Sequence, residues 1–221
     1  MTETKFIFDL DGTLYDLDGI PGTTFGASRF CADLMVSTRL FIGNQLGVDA
    51  EKASEIFDEV MQTYSGELSI GLEAEYGIDR YALFDATWNR SPEDYIGANP
   101  ALANMLAPFA GRAALLSAAP RVWVDLVLDH LDVGNVFGPQ IFTGEPDLRK
   151  PNPEIFRVVA TTIGARPEDC LSIGDQNHTD IIPAKSIGMQ TALVGPAQLD
   201  ADFSALTLQG ILEIIQERKL L

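Results

Sequence analysis

Asp9 and Asp11 stand two residues apart in Asp9-Leu10-Asp11-Gly12-Thr13, at the end of the short apolar run 5–8. At a strand end, residues two apart point to the same side, so both carboxylates lean one way. Two more acids, Asp175 and Asp180, follow a second such run at 170–173, closed by Gly174. Ser117 closes a third run at 112–117, and Lys150 precedes Pro151-Asn152-Pro153 just before a helical pattern. If these runs are neighbouring strands, the acids, the hydroxyl and the ammonium converge on one crevice. Carboxylates that close repel unless a cation sits among them, and oxygen donors with few nitrogen or sulfur alternatives suit Mg²⁺. Lys150 supplies a second positive centre. Such a set favours a phosphoryl-transfer transition state, whose charge is spread over the transferring oxygens.

The rest of the chain narrows the partners. It has 221 residues, 46% of them apolar, enough for one core domain carrying a sizeable insertion. Against 32 Asp and Glu stand 15 Lys and Arg, a formal charge of −17. A phosphate backbone needs a basic surface, so neither a nucleic-acid polymer nor an anionic membrane is an expected partner. No uncharged apolar run approaches the roughly 18–20 residues of a membrane-spanning helix. Residues 1–8 lack the pattern of a secretion signal, which gives a cytoplasmic expectation. Cys31 and Cys170 read as buried free thiols. A small anionic substrate then needs the local field inverted, by a metal ion or by placed cations such as Lys150.

The pattern of apolar residues supplies the elements that position these groups. Residues 5–9 read as a buried strand closed by a turn at Gly12. Residues 16 to about 100 read as helical throughout, with a stop at Gly47, cap-like Asp49 before Ile56, Val60 and Tyr64, and Asp79 before Tyr81, Phe84 and Trp88. From about 110, strands at 112–117, 140–143, 170–173 and 190–194 alternate with helices. Pro120 opens one helix, with Val124, Val127, Leu128 and Leu131 on one face. Pro153 opens another, and 180–186 forms a third, stopped by Gly188. Alternation of this kind means α/β architecture, a parallel sheet with helices on both faces. The expected division is a core of 1–15 with 105–221 and an all-α cap of 16–104 inserted after the first strand. The cap would cover the C-terminal edge of the sheet, where open α/β sheets bind ligands. Gly12 with 16–22 offers a hinge.

The motifs and their order resemble the haloacid dehalogenase superfamily. Residues 9–15, Asp-Leu-Asp-Gly-Thr-Leu-Tyr, are similar to its first motif and Ser117 to its second. Lys150 with Pro151 is similar to the third, and Gly174-Asp175 with Asp180 to the fourth. The resemblance covers 5–15 and about 110–195, and the insert matches the helical cap placed between the first two motifs. It implies a Rossmann-like core and a phosphate-monoester hydrolase. Asp9 would be the nucleophile that forms an aspartyl-phosphate, and Asp11 the general acid and base. Mg²⁺ would be held by Asp9, the backbone carbonyl of Asp11 and Asp175. Lys150, Ser117 and the backbone N–H of Ala118 would hold phosphate oxygens. Asp180 would orient Lys150 or a metal-bound water. The family often has Asn after the motif-two Ser; Ala118 here removes that side-chain contact. Asp at position 11 favours phosphate chemistry over dehalogenation. A free Asp titrates near about 3.9, so keeping its proton near neutral pH needs roughly 4 kcal/mol from its surroundings. Cap residues 41–48, Tyr64 and 76–79 are similar to the pyrimidine 5′-nucleotidase branch, which implies a nucleoside monophosphate as substrate.

Other readings stand beside this one. A sugar-phosphate phosphatase or phosphomutase uses the same core. A phospho-accepting signalling module also joins acids, a hydroxyl and a Lys, but with the nucleophile later in the chain. An inactive binding scaffold lacks catalytic residues, whereas all are present here. Asp180 could be a helix N-cap, and Thr13 could close its turn. His178 reads as an exposed loop residue and His130 as answering a helix dipole. Most of Tyr15, Phe25, Phe41, Tyr64, Tyr81, Trp88 and Tyr95 read as packing. The sequence leaves a homo-oligomer open.

Overall fold

The computed structural model describes residues 3–221. Six strands form one sheet: β1 (Lys5–Phe8), β2 (Ala113–Leu116), β3 (Ile141–Phe142), β4 (Cys170–Gly174), β5 (Gln190–Val194) and β6 (Phe203–Ala205). Their order is β3-β2-β1-β4-β5-β6, and every neighbouring pair is parallel. The chain builds outward from β1 to β3, then returns across β1 to lay down β4. The crevice where the strand order reverses therefore lies between β1 and β4, the usual ligand position in such sheets. Register aligns Phe8 with both Leu115 and Ile173, so β1, β2 and β4 end at the same edge. Asp9, Ser117 and Asp175 follow those ends directly.

Alternation along β1 explains the two-faced core. Phe6 and Phe8 point to one side, where Phe109 meets them edge-on at 4.8 and 5.4 Å, with Trp123 and Phe137 in the same cluster. Ile7 points to the other side, among Ala114, Leu116, Ile155, Phe156 and Val159. The covering helices are α6 (Arg121–Leu131), α7 (Gly134–Phe137), α8 (Pro153–Thr162), α9 (Ile182–Ser186) and α10 (Leu208–Glu217). The first five helices lie between β1 and β2: α1 (Arg29–Leu46), α2 (Ala50–Thr63), α3 (Leu68–Tyr76), α4 (Arg80–Trp88) and α5 (Leu102–Leu106). Ser28, Asp49 and Asp79 cap α1, α2 and α4 by accepting from Cys31, Lys52 and Ala82 backbone N–H groups. Ile42, Ile56, Phe57, Val60, Leu72 and Leu83 form an apolar core within the insert. Phe30, Tyr95 and Ile96 instead join the core of the sheet.

Three sequence expectations are corrected. The insert is not helical throughout: 16–28 and 89–101 contain no α-helix, and Leu17 and Ile96 pair across them in an antiparallel bridge. Pro21, Pro92 and Pro100 cannot sustain a helix interior, and Asp18, Gly19 and Gly22 adopt left-handed backbone. The strand 190–194 is not the last; β6 and α10 follow it. Three residues with a central Ser carry too short an alternation to read as a strand. The helix expected at 180–186 is split. Asn177–Ile181 makes a π-turn, and α9 restarts with Pro183 in its first turn, where the missing N–H costs nothing. Among the described residues, no helix is long and apolar enough to cross a membrane.

Candidate active site

The sheet edge gathers the acids around one ammonium. Lys150 Nζ donates to Asp9 Oδ1 at 2.5 Å and to Asp180 Oδ1 at 2.6 Å, with all three residues buried. The second oxygen of Asp9 accepts from the Thr13 hydroxyl at 2.9 Å. Thr13 therefore does more than close its turn. The second oxygen of Asp180 accepts the Gln176 N–H at 3.0 Å, so that carboxylate spans Lys150 and its own turn rather than capping a helix. Gly12 has φ +83°, and a Cβ there would lie 2.5 Å from Asp175 Oδ2. Only glycine allows the Asp11–Thr13 turn to pass that carboxylate. Gly174 works likewise against Asp180, whose Cβ would meet an added methyl at 2.4 Å.

Asp11 points away from Lys150. Its Oδ1 accepts from the indole N–H of Trp123 at 2.8 Å and from the Tyr15 hydroxyl. Its Oδ2 lies 3.5 Å from the Ser117 Oγ, which itself accepts the Ala119 N–H at 3.0 Å. Ser117 is fully buried, while Ala118 is exposed beside it.

Crowding in a dry site sets the charges. Burial pushes Asp175 up to about 9, reinforced by Asp9 and Asp180 and opposed by Lys150. Burial raises Asp11 to about 6, with the Tyr15 and Trp123 donors holding it back and Asp9 adding to the rise. Asp180 rises to about 6 through burial, against the pull of Lys150. For Lys150, burial opposes the charge, but Asp180 and Asp9 outweigh it and the ammonium titrates above its ordinary value. A protonated carboxyl beside a carboxylate is the arrangement that acid–base work on an ester needs.

The residues also fit a divalent cation. Carboxylate oxygens of Asp9, Asp175 and Asp180 lie within 4.8 Å of one another. Asp175 Oδ1 is sealed from solvent and has no hydrogen-bond partner. A buried carboxylate oxygen without a donor is costly unless a cation meets it. All the donors are hard oxygens, the set that suits Mg²⁺.

Two spaces open between the insert and the sheet edge. An outer cleft of about 930 Å³ is lined by Tyr64, Glu67, Arg80, Arg149 and Lys150. An inner cavity of about 290 Å³ has Lys150, Ala118, Phe25, Phe57, Phe84 and Trp88 among its walls. Glu67, Arg149 and Lys150 line both. Arg149 is ion-paired with Glu67 of the insert, and Arg80 at the start of α4 joins Glu73 to Asp147, the latter at 2.7 Å. These pairs tie the insert to the loop that carries Lys150.

Residue type and spacing do not single out two of these groups: the helix face after Pro120 is defined by Val124, Val127, Leu128 and Leu131, and Tyr15 falls among the aromatics expected mostly to pack. A buried indole or phenol needs a polar partner, and that rule points each ring toward an acid. His178 is exposed, and His130 lies in the last turn of α6, as expected. Cys31 and Cys170 are free and buried. Tyr81 is largely exposed rather than packed.

Comparison with known proteins bears on this geometry. Residues 6–188 match the family described as haloacid dehalogenase-like hydrolase. The chain is 28% identical over 194 residues to phosphoglycolate phosphatase 1 of Pseudomonas aeruginosa, covering 84% of this chain and 67% of that protein. It is 24% identical over 206 residues to pyrophosphatase PpaX of Oceanobacillus iheyensis, covering 92% and 88%. Its fold is similar to a HAD phosphatase from Thermococcus onnurineus, with a TM-score of 0.64, 19% identity, and 96% and 97% of the two chains covered.

Proposed function

Since the chain belongs to the haloacid dehalogenase-like hydrolases and is a phosphatase of that family, we propose that it hydrolyses a nucleoside monophosphate of the pyrimidine type, with Mg²⁺ and through an aspartyl-phosphate on Asp9. The observation that carries the chemistry is Asp11, a buried carboxyl raised to about 6, two residues from Asp9. The inner cavity supports the leaving group: its aromatic walls suit a neutral, flat-ringed nucleoside. The division into a core of 1–15 with 105–221 and a cap of 16–104 belongs to the same proposal.

Each residue then has a task. An Asp9 oxygen forms a bond to phosphorus as the ester P–O bond breaks, and Asp11 gives its proton to the departing oxygen. In the second half Asp11 takes a proton from water as that water attacks phosphorus, and the Asp9 carboxylate is restored. Lys150, the Ser117 hydroxyl and the Ala118 N–H hold non-bridging oxygens. Asp180 keeps Lys150 pointed at Asp9. Asp9, Asp175 and the Asp11 carbonyl would hold Mg²⁺, which when bound would supply positive charge beside the phosphoryl group.

The test is phosphate release from a panel, with Mg²⁺ and with EDTA. UMP or CMP is expected to exceed phosphoglycolate by at least about 10-fold in kcat/KM, because the glycolate carboxylate would enter an apolar cavity unpaired. Arg149, which lines the cavity beside Lys150, is committed to Glu67. A preference for phosphoglycolate would overturn the nucleotide reading and leave the phosphatase.

Metal binding also makes a prediction about pH. Carboxyls raised in the folded state hold protons that the unfolded chain releases near about 3.9. Metal-free stability is therefore fullest below that value and declines as pH climbs through about 6 for Asp11 and Asp180 and about 9 for Asp175. Mg²⁺ competes with those protons. At a hundredfold excess over Kd it adds about 2.7 kcal/mol, or roughly 5–10 °C in Tm for a chain of this size. That gain is expected at about pH 8 and should shrink toward pH 5. A gain of the same size at both would mean that other groups bind the ion.

A further inference from the structure

Asp11 is held by one oxygen only. Its Oδ1 receives both the Trp123 indole N–H, at 2.8 Å, and the Tyr15 hydroxyl. Its Oδ2 has only the Ser117 hydroxyl, at 3.5 Å, too long to fix it. An oxygen accepting two hydrogen bonds has its lone pairs occupied, so a proton on this carboxyl belongs on Oδ2. Oδ2 is also the oxygen on the side of Ser117, where a phosphate would sit.

We propose that Trp123 and Tyr15 are positioning residues: together they clamp Oδ1 of Asp11 and so present Oδ2, with its proton, to the leaving-group oxygen. This rests on the reading of Asp11 as the acid. The clamp is braced from the insert. Phe30 of α1 stacks on the Trp123 ring at 4.4 Å and 22°, and Tyr95 packs edge-on against Phe30 at 5.0 Å. The Tyr95 hydroxyl in turn donates to Asp33 of α1 at 3.0 Å. Both clamp residues are buried, and neither donor carries a charge that would compete with a cation for the acid.

Leaving-group dependence separates this role from packing. As the Asp9 oxygen bonds to phosphorus, the ester P–O electron pair goes to the leaving oxygen. A 4-nitrophenolate departs as a stable anion, whereas a benzyl alkoxide needs a proton. Benzyl phosphate and 4-nitrophenyl phosphate are of similar size, so the ratio of their kcat/KM values reports proton delivery. Tyr15→Phe keeps the ring and removes the O–H; Trp123→Phe removes the N–H. Each is expected to lower the benzyl-to-nitrophenyl ratio about 10-fold and the double variant about 100-fold, approaching Asp11→Asn. Equal losses on both substrates, or an unmoved ratio in Tyr15→Phe and Trp123→Phe while Asp11→Asn lowers it, would overturn the clamp. An unmoved ratio in Asp11→Asn would instead remove the acid assignment, and the clamp with it.

Discussion

Replacing Asp9 by Asn is expected to lower kcat by about 10⁴-fold or more while leaving the protein folded. The amide is a poor nucleophile, and no other carboxylate takes the same place: Asp180 is turned toward Lys150 and Gln176, and Asp11 toward Trp123 and Tyr15. The fold should survive for an equally local reason. Asn is the same size, its carbonyl can still accept from Lys150, and the Thr13 hydroxyl can rotate to accept from the new NH₂. Lys150 also retains Asp180 as its counter-charge. Removing one negative charge relieves Asp175, whose protonation Asp9 promotes. The Tm is therefore expected within a few degrees of wild type. Rapid quenching followed by intact-mass measurement gives the second readout. The wild-type chain should gain one phosphoryl group during turnover and the variant none. Turnover by the variant near the wild-type rate would remove the covalent mechanism.

How much of this was legible in the sequence follows from where each group sits. Asp9, Ser117 and Asp175 follow strands whose short apolar runs are visible, and parallel register brings their ends together. Lys150 was legible as the residue before Pro151-Asn152-Pro153, where Asn152 caps α8 by accepting from Glu154. The groups that were missed depend on distant partners. Arg149 and Glu67 are 82 residues apart, and no local pattern pairs them. Trp123 lies on the buried face of α6, four and eight residues before Val127 and Leu131, and only the tertiary fold brings its N–H to Asp11. Tyr15 was visible as part of the first motif, but its hydroxyl points back across the Asp11–Tyr15 turn, a direction that residue type alone does not give. The helical expectation for the insert rests on residues from Gly47 onward and carries no helix signal of its own in 16–28. The left-handed backbone at Asp18, Gly19 and Gly22 shows turn residues setting the path there.

Lys150→Met is expected to destabilise the metal-free protein strongly. The side chains are similar in length, so packing is largely conserved and the change isolates the charge. One ammonium serves two buried carboxylates, and removing it strands both. Removing one partner of a buried pair costs about 3–5 kcal/mol. For a chain of this length that is roughly 6–20 °C in Tm. The pH dependence fixes the cause. Without Lys150, the largest pull against burial at Asp180 is gone and the Gln176 N–H is left to oppose it, at a group raised to about 6 even with the ammonium present. The variant's carboxyls then bind protons more tightly than the wild type's. Its stability must fall faster as pH rises, so the difference in Tm should widen from about pH 5 to about pH 8. A loss of packing alone would give the same difference at both. Activity separates the roles further. Lys150 follows Arg149 in its loop, reaches Asp9 and lines the inner cavity. Mg²⁺ is therefore expected to restore part of the lost Tm by supplying positive charge to the acids, and to leave kcat/KM at least about 100-fold below wild type. Recovery of both together would mean that Lys150 serves only to balance charge and makes no contact with the phosphoryl group.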